Sequence, residues 1–392
     1  MNVLFHHRTR GRDVEGVHIR GVVGALRDLG HAVDVVAPPG VAVTHAAPAA
    51  NVAKKKSALN WSLLSSRLPE SAFEAIELAY NAYALVALGQ RLLRRKYELV
   101  YDRYALFSTA GVLAARARGV PLILEVNDSA LVDRIRPLAL RAAARRVERF
   151  IWKAADAVVT ISSYFRDLII EAGVDPARVH VVANAVDDVA FAALPDDGAV
   201  TKRLGLEDHV VIGYVGAINH WRRLDLLIDA FAALSSRHPH ARLLVIGEGA
   251  DRVAIEADVQ RRALGDRVRF VGQVAHAEIL SWLAAIDVAV IPHSNDYGSP
   301  MKLFEYMAAG KAVVAPWLPP IVSIVGDDDG GVLFAPLDRT ALTDVLDKLL
   351  DDPARRASIG ARAREKVMSS YIWRAHAEAI LAIHSQLGQA AR

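Results

Sequence analysis

The chain has no cysteine, so neither a disulfide framework nor a thiolate metal site is open to it. Long apolar runs are missing too: nothing in the 392 residues approaches the roughly 18 uninterrupted apolar residues of a membrane span. The opening Met1-Asn2-Val3-Leu4-Phe5-His6-His7 reads as a short strand, without the apolar core or cleavage site of an export signal. The cytoplasm is therefore the expected compartment. No nucleic-acid-binding motif occurs, and no G-x-G-x-x-G follows the first strand, which disfavours a nicotinamide-binding dehydrogenase. A large charge excess is also lacking, with a formal net charge of only +3.

What remains is 53% hydrophobic and 23% charged, too long for one ordinary core and suited to two α/β domains. Strand-like runs alternate with helical ones from end to end, the pattern of parallel sheets wrapped by helices. Strands are expected at Val3–His6, Ala32–Val36, Leu99–Tyr101, Leu122–Val126, Ala157–Ile161 and Val179–Val182. After a pause at Asn184–Leu206, read as a linker around Pro195-Asp196-Asp197-Gly198, they resume. The second set is Val210–Val215, Arg242–Ile246, Val268–Val271, Val288–Ile291, Ala312–Ala315 and Gly331–Phe334. Helices in the first half should begin near Gly16, Glu70, Phe107, Pro137 and Ser162, and Ala37–Asn60 reads as a long loop. The expected domains are 1–190, with the final helix (372–392) packing back on it, and 207–371.

Charge is unevenly divided. Residues 1–190 hold 25 Lys/Arg against 19 Asp/Glu, leaving 22 against 25 for residues 191–392. Arg134, Arg136, Arg141, Arg145, Arg146, Arg149 and Lys153 gather around one acid, Glu148, with Phe150, Ile151 and Trp152 among them. Such a segment suits either a peripheral contact with an anionic membrane or an ordinary solvated helix face. Lys54-Lys55-Lys56, followed by Trp61, Leu63 and Leu64, is a weaker candidate of the same kind. Asp327-Asp328-Asp329-Gly330 reads as turn chemistry rather than a metal site, and no metal is expected.

The richest stretch is Ser299-Pro300-Met301-Lys302-Leu303-Phe304-Glu305. Ser299 suits an N-cap and Pro300 the first helical position, so the free amides and the helix dipole would favour an anion such as a pyrophosphate. Lys302 adds positive charge there, and Glu305, three residues on, lies on the same face, where a carboxylate suits sugar hydroxyls. A simple Lys–Glu pair on a capped helix is the alternative.

These pieces resemble the retaining, sugar-nucleotide-dependent glycosyltransferases of the GT-B fold, family four. The likeness runs through Gly16-Val17-His18, Leu29-Gly30-His31-Ala32-Val33, Gly213-Tyr214-Val215-Gly216, Leu244-Val245-Ile246-Gly247-Glu248-Gly249, Phe270-Val271-Gly272 and Leu303–Gly310. It implies an α/β chain of two Rossmann-like domains facing each other across a central cleft. It also implies transfer of a hexose-type sugar from a UDP- or GDP-sugar to a sugar or lipid-linked hydroxyl acceptor in glycan or glycoconjugate synthesis, with no cofactor. By resemblance, Glu305 would bind the nucleotide ribose, Arg222 the phosphates and the Val274 backbone the base. Gly16 and Gly216 would admit backbone to the phosphates. Glu248, Gly298, Ser299, Met301 and Leu303 complete the donor side.

Three positions depart from the family pattern. Tyr297 stands where the first of two glutamates is usual, Ala217 replaces an Arg after the phosphate-loop Gly, and Asn127 aligns with a cleft His. Asn127 can hydrogen-bond a sugar hydroxyl but cannot act as a base, and Asp128 is the nearest ionisable alternative. Arg222 and Lys302 then carry the catalytic charge. Acceptor candidates are His6, His7, Arg8, His18, Asp102, Arg103 and Tyr104, all near strand ends. A non-catalytic sugar-nucleotide-binding protein and a nucleotide-sugar epimerase or phosphorylase stay open as other readings.

Overall fold

The computed structural model describes residues 1–9, 13–41, 69–132, 137–195, 198–275, 278–326 and 330–390. The chain divides into two units, Met1–Ala183 with Trp373–Arg392, and Asn184–Ile372.

In the first unit the elements are β1 (Asn2–His6), α1 (Asp13–Asp28), β2 (Ala32–Val36), α2 (Glu70–Arg94), β3 (Leu99–Arg103) and α3 (Ala110–Arg118). They continue with β4 (Leu122–Val126), α4 (Arg141–Ala154), β5 (Ala157–Thr160), α5 (Ser163–Glu171) and β6 (Val179–Val181). The sheet is all parallel in the order β2-β1-β3-β4-β5-β6. Strands such as Leu99-Val100-Tyr101-Asp102-Arg103 and Leu122-Ile123-Leu124-Glu125-Val126 are buried throughout, as helices on both faces of a parallel sheet require.

The second unit holds α6 (Asp188–Ala192), α7 (Gly198–Leu204), β7 (Val210–Val215), α8 (Leu224–Leu234), β8 (Ala241–Ile246), α9 (Arg252–Arg261) and β9 (Val268–Gly272). After these come α10 (Ile279–Ala284), β10 (Val288–Val290), α11 (Met301–Ala308), β11 (Ala312–Pro316), α12 (Pro319–Val325), β12 (Val332–Phe334), α13 (Arg339–Asp351) and α14 (Pro353–Ser370). Its sheet order, β12-β11-β10-β7-β8-β9, is the doubly wound Rossmann order with its switch point between β7 and β10. Helix α8 shows why: Leu224, Leu227, Ile228, Phe231 and Leu234 recur at helical spacing and are all buried, facing Leu342, Leu346 and Leu349 of α13 within one core.

The last helix, α15 (Trp373–Ala390), belongs to the first unit and lies along α1. A Cβ on Gly21 of α1 would stand 2.3 Å from the Trp373 ring, so the helix backbone itself is the seat for that indole.

All twelve expected strands form, with ends shifted by at most two residues. Helix starts were less legible. The helix expected near Gly16 begins at Asp13, that near Phe107 at Ala110 and that near Pro137 at Arg141. Asn184–Leu206 is not a plain linker: it carries α6 and α7, and the first unit ends at Ala183 rather than 190. Asp187 starts α6 by accepting from the Ala190 amide, a cap that short turn-rich sequence conceals. Lys54–Lys56, Trp61, Leu63, Leu64, Arg134, Arg136, Asp196, Asp197 and Asp327–Asp329 lie outside the described residues. Among the described residues, no helix is long and apolar enough to cross a membrane.

Candidate active site

Ligands of doubly wound sheets gather beyond the carboxyl ends of the strands at the switch point, here the ends of β7 and β10. Beyond β7 the chain runs through Gly216 and Ala217 to a single 3-10 turn, His220–Arg222, and Arg223 then enters the left-handed region at φ 52°. That bend is costly for a side chain with a Cβ, and a forked bond to Asp225 at 2.9–3.1 Å secures it. The result points Arg222 back under the sheet end, with its guanidinium 4.0 Å from the Trp221 ring centroid.

Arg222 is the pivotal residue. Its Nε is buried and bonds nothing, and among the described residues no carboxylate comes within ion-pair distance. Burial weakens its hold on the proton, opposed by the nearby hydroxyls of Tyr214, Tyr306 and Tyr297. A half-buried cation with no carboxylate partner is costly, and the charge of a bound anion would offset that cost.

Helix α11 is tied to the same strand end, since the Val215 amide donates to the Tyr306 hydroxyl at 2.7 Å. Burial pushes the Tyr306 phenol well above its usual range and Tyr214, whose hydroxyl donates to the Ala217 carbonyl at 2.6 Å, to about 12. Both stay neutral donors.

The helix start differs from expectation in one detail. The helix begins at Met301 with Pro300 in the cap position, and the Ser299 hydroxyl caps nothing: buried, it has no partner. The Ser299 carbonyl is instead held by the Asn184 side chain at 2.7 Å. Lys302 is paired with Glu305 on the half-buried face, so the local pair and the proposed ligand roles concern the same two side chains. Met301 and Leu303 send their side chains into the core, leaving only backbone for a ligand. The Gly298 amide bonds Asn295 at 2.7 Å, and a Cβ there would stand 2.4 Å from that same oxygen.

Glu248 follows Gly247 at the end of β8. It is exposed and paired with Arg252, which also bonds Glu256 at 2.7 Å. The glycines beside it matter more: Cβ atoms on Gly247 and Gly249 would fall 1.9 Å and 2.1 Å from the carbonyls of Gly216 and Ile218. Gly216 itself has room limited only by the Tyr214 hydroxyl, at 3.1 Å. The phosphate-side turn is thus packed backbone on backbone. Val274 is half-buried in the loop after β9.

His293, beyond β10, was missed by sequence reasoning. Its Nδ1 is buried without a partner, and burial lowers its basicity, as do Arg223 and Arg222, against Asp296. The signal available was its place in Ile291-Pro292-His293-Ser294, directly after a strand at the switch point.

Model-based comparison of families matches residues 199–366 to "glycosyl transferases group 1" and residues 15–185 to "glycosyl transferase 4-like domain". A D-inositol 3-phosphate glycosyltransferase of Kineococcus radiotolerans is 34% identical over 323 residues, covering 75% of this chain and 73% of that one. The chain belongs to the group 1 glycosyltransferases. Another relative of this glycosyltransferase, the 2-deoxystreptamine glucosyltransferase of Streptomyces kanamyceticus, is 33% identical, over 62% of this chain and 65% of that one. Among solved structures, Anabaena Alr3699/HepE in complex with UDP superposes with a TM-score of 0.72 at 17% identity, covering 98% of this chain and 100% of that one. Sucrose-phosphate synthase of Thermosynechococcus elongatus gives 0.70 at 22% identity, over 99% of each chain. The fold of the glycosyltransferase is accordingly GT-B, built from two Rossmann-like units.

In the first unit of the glycosyltransferase the acceptor candidates prove to be interior. His6, His7, His18, Asp102, Arg103 and Tyr104 are all buried. His6 Nδ1 bonds Asp102 at 2.7 Å, and the Tyr104 hydroxyl donates to Glu148 at 2.8 Å. Glu125, which sequence reasoning did not single out, is the hub. It accepts from Tyr101 at 2.8 Å and Arg103 at 2.9 Å, and lies 3.0 Å from His18 Nε2. Burial pushes its carboxyl up, but His18 and Arg103 together outweigh that and hold it well below the usual carboxylate range.

His18, Glu125 and His376 place one ligating atom each within 4.8 Å of one another. A cation there would compete with the Arg103 guanidinium for the same carboxylate, so the set suits a hydrogen-bonded hub better than a metal cradle. His7 keeps a buried Nε2 that bonds nothing, and burial, then His6 and Arg103, lower it to about 4, leaving a neutral ring. Gly16 lies buried inside α1, not in an open loop. Asn127 and Asp128 follow β4 half-buried, with Asp128 accepting from the Ser129 amide at 2.8 Å. Helix α4 exposes Arg141, Arg145, Arg146, Arg149 and Lys153 while burying Ala144, Glu148, Ile151 and Trp152.

Proposed function

We propose that the protein is a retaining glycosyltransferase that moves a hexose-type sugar from a nucleoside-diphosphate sugar to a hydroxyl acceptor. The single observation that carries this reading is Arg222, a half-buried guanidinium at the Rossmann switch point whose Nε is buried and unbonded and which has no carboxylate within ion-pair distance among the described residues. The donor's diphosphate supplies the missing negative charge. The Met301 and Lys302 amides opening α11 add donors on the same anion, the Leu303 amide being held by the Pro300 carbonyl at 2.9 Å, and Lys302 adds a second positive charge. Glu305, released from Lys302 as the latter turns to phosphate, takes two vicinal ribose hydroxyls. Gly216 and Val274 offer backbone to phosphate and base, and Tyr297 and Gly298 border the sugar.

The reaction needs no protein nucleophile. The anomeric C–O bond to the diphosphate breaks, the acceptor oxygen bonds the same carbon on the same face, and the acceptor's proton passes to the departing phosphate. Arg222 and Lys302 stabilise charge growing on that leaving group, which is positional and electrostatic catalysis. Asn127 orients an acceptor hydroxyl, and Asp128 is the ionisable group next to it in the chain. Two relatives are named for ring polyols, D-inositol 3-phosphate and 2-deoxystreptamine, so a polyhydroxylated ring is the first acceptor class to try. The basic face of α4 would suit an acceptor held at an anionic membrane, on its cytoplasmic side.

Thermal-shift titration with UDP, GDP and their glucose or mannose conjugates tests the donor site. At 100 times Kd a nucleotide adds about 2.7 kcal/mol of stability. The shift should disappear in Arg222→Ala and shrink in Glu305→Gln. A full shift in both variants would remove the assignment.

A further inference from the structure

Helix α2 carries apolar side chains on both sides. The side facing the body buries Ala84, Leu88 and Leu92 in its second half and is polar in its first, where Glu74 accepts from the Ala139 and Leu140 amides, Glu77 pairs with Arg8, and Tyr80 lies 3.3 Å from His6 Nε2. Asn81 on that side bonds the Phe107 carbonyl and the Thr109 amide, both at 2.8 Å. The outward side is apolar. Ile76, Leu78, Tyr83, Leu85, Val86 and Leu93 are 42–68% exposed, more large apolar side chains than any other described helix shows to solvent. Between Ala75 and Gln90 the helix has one charged residue, Glu77, and it is the one turned inward onto Arg8. A face this wide without charge is not that of a solvated helix.

Spacing says what fits it. Ile76, Ala79, Tyr83, Val86, Gln90 and Leu93 follow one another at intervals of three and four, the 3.5-residue repeat that keeps a seam against another helix. The same series is symmetric about a point between Ala84 and Leu85. Laid antiparallel on its own copy, Ile76 meets Leu93, Ala79 meets Gln90 and Tyr83 meets Val86. Charge selects that direction. The helix starts with Glu70 and ends with Arg91 and Arg94, followed by Lys96, so antiparallel pairing brings opposite ends and opposed dipoles together. Parallel pairing would stack the cations. An anionic lipid surface is a poorer match, because it wants cations along both edges of the apolar face and these sit at one end.

We infer that α2 is a homodimerisation seam, pairing antiparallel with α2 of a second copy about a two-fold axis near Ala84–Leu85. The contact is isologous, so it closes at two copies. A one-helix seam is small for a specific interface, which sets the expected dissociation constant at about 10–100 μM.

Analytical ultracentrifugation of the full chain up to about 200 μM should show a reversible monomer–dimer equilibrium. Val86→Glu and Leu93→Glu, both at well-exposed positions, should each raise the dissociation constant about tenfold or more while leaving the melting temperature unchanged. Because the chain has no cysteine, a single introduced thiol reports geometry. Val86→Cys, beside the axis, should cross-link under mild oxidation. Leu93→Cys should not, since its two copies would lie ~25 Å apart along the helices. A strictly monomeric chain, or equal cross-linking of the two variants, overturns the inference. So does binding to phosphatidylglycerol vesicles that Val86→Glu abolishes without any dimer being seen.

Discussion

Each unit sets an arginine at the carboxyl end of a central strand, Arg103 buried as the last residue of β3 and Arg222 half-buried in the loop after β7, and the two are treated in opposite ways. Arg103 in the first unit meets Glu125 at 2.9 Å, with His18 and Tyr101 on the same carboxylate. Arg222 in the second unit meets tyrosines and a tryptophan face, and no acid among the described residues. The first is ion-paired within the fold, although its Nε, like that of Arg222, is buried and bonds nothing. The second is a charge held in reserve, and reserve of that kind is what a site for an anionic substrate needs.

Substitution should separate the two. Arg103→Ala leaves the Glu125 carboxylate buried without its guanidinium partner, and unfolding free energy should fall by about 3–5 kcal/mol, read by urea denaturation. Arg222→Ala should keep its melting temperature within a few degrees and lose about two to three decades in kcat, roughly 3 kcal/mol of transition-state stabilisation. If Arg222→Ala unfolds instead, or Arg103→Ala melts normally, the contrast between hub and reserve is wrong.

Acid should also find the hub first. Burial lowers His7 and His376 to about 4, against 6.5 in the unfolded chain, with His6 beside the former and His18 beside the latter adding to the effect. Their contribution is whole above pH 6.5 and is lost as pH falls from there toward 4, by up to about 3 kcal/mol per ring. Calorimetry between pH 7.5 and about 5 should show the loss, and His376→Asn should remove about half of it. The smallest effect belongs to Glu248. Glu248→Gln removes an exposed pair with Arg252 and should change stability by less than about 0.5 kcal/mol and leave turnover intact. A large fall in turnover would instead place Glu248 in donor binding.

The sheets were legible because buried parallel strands write themselves as runs such as Val210–Val215 and Ala312–Ala315, which no helix period imitates. Arg222 and the Met301–Ala308 helix were legible because a strand-to-helix loop at the switch point concentrates its chemistry in a few consecutive residues. Glu125 lies within the expected strand Leu122–Val126, and an acid inside an apolar strand was a signal left unread. Other features had no local trace. His376 reaches His18 only through tertiary packing, and Ser299 loses its cap role because the chain is already shaped by Asn184, 115 residues earlier. The strand-end histidines looked available in sequence because position along a strand does not disclose what lies over its end.

Helix α15 gives the first unit a seam between chain positions hundreds of residues apart, with Trp373 seated on Gly21 and His376 holding the Ala183 carbonyl at 3.0 Å. During synthesis this unit therefore waits. Its six strands can emerge and pair early, but the indole that covers α1 leaves the ribosome only after the whole Asn184–Ile372 unit has been made. The order of completion runs against the order of translation, and the exposed flank of α1 is the part of the nascent chain that stays open longest.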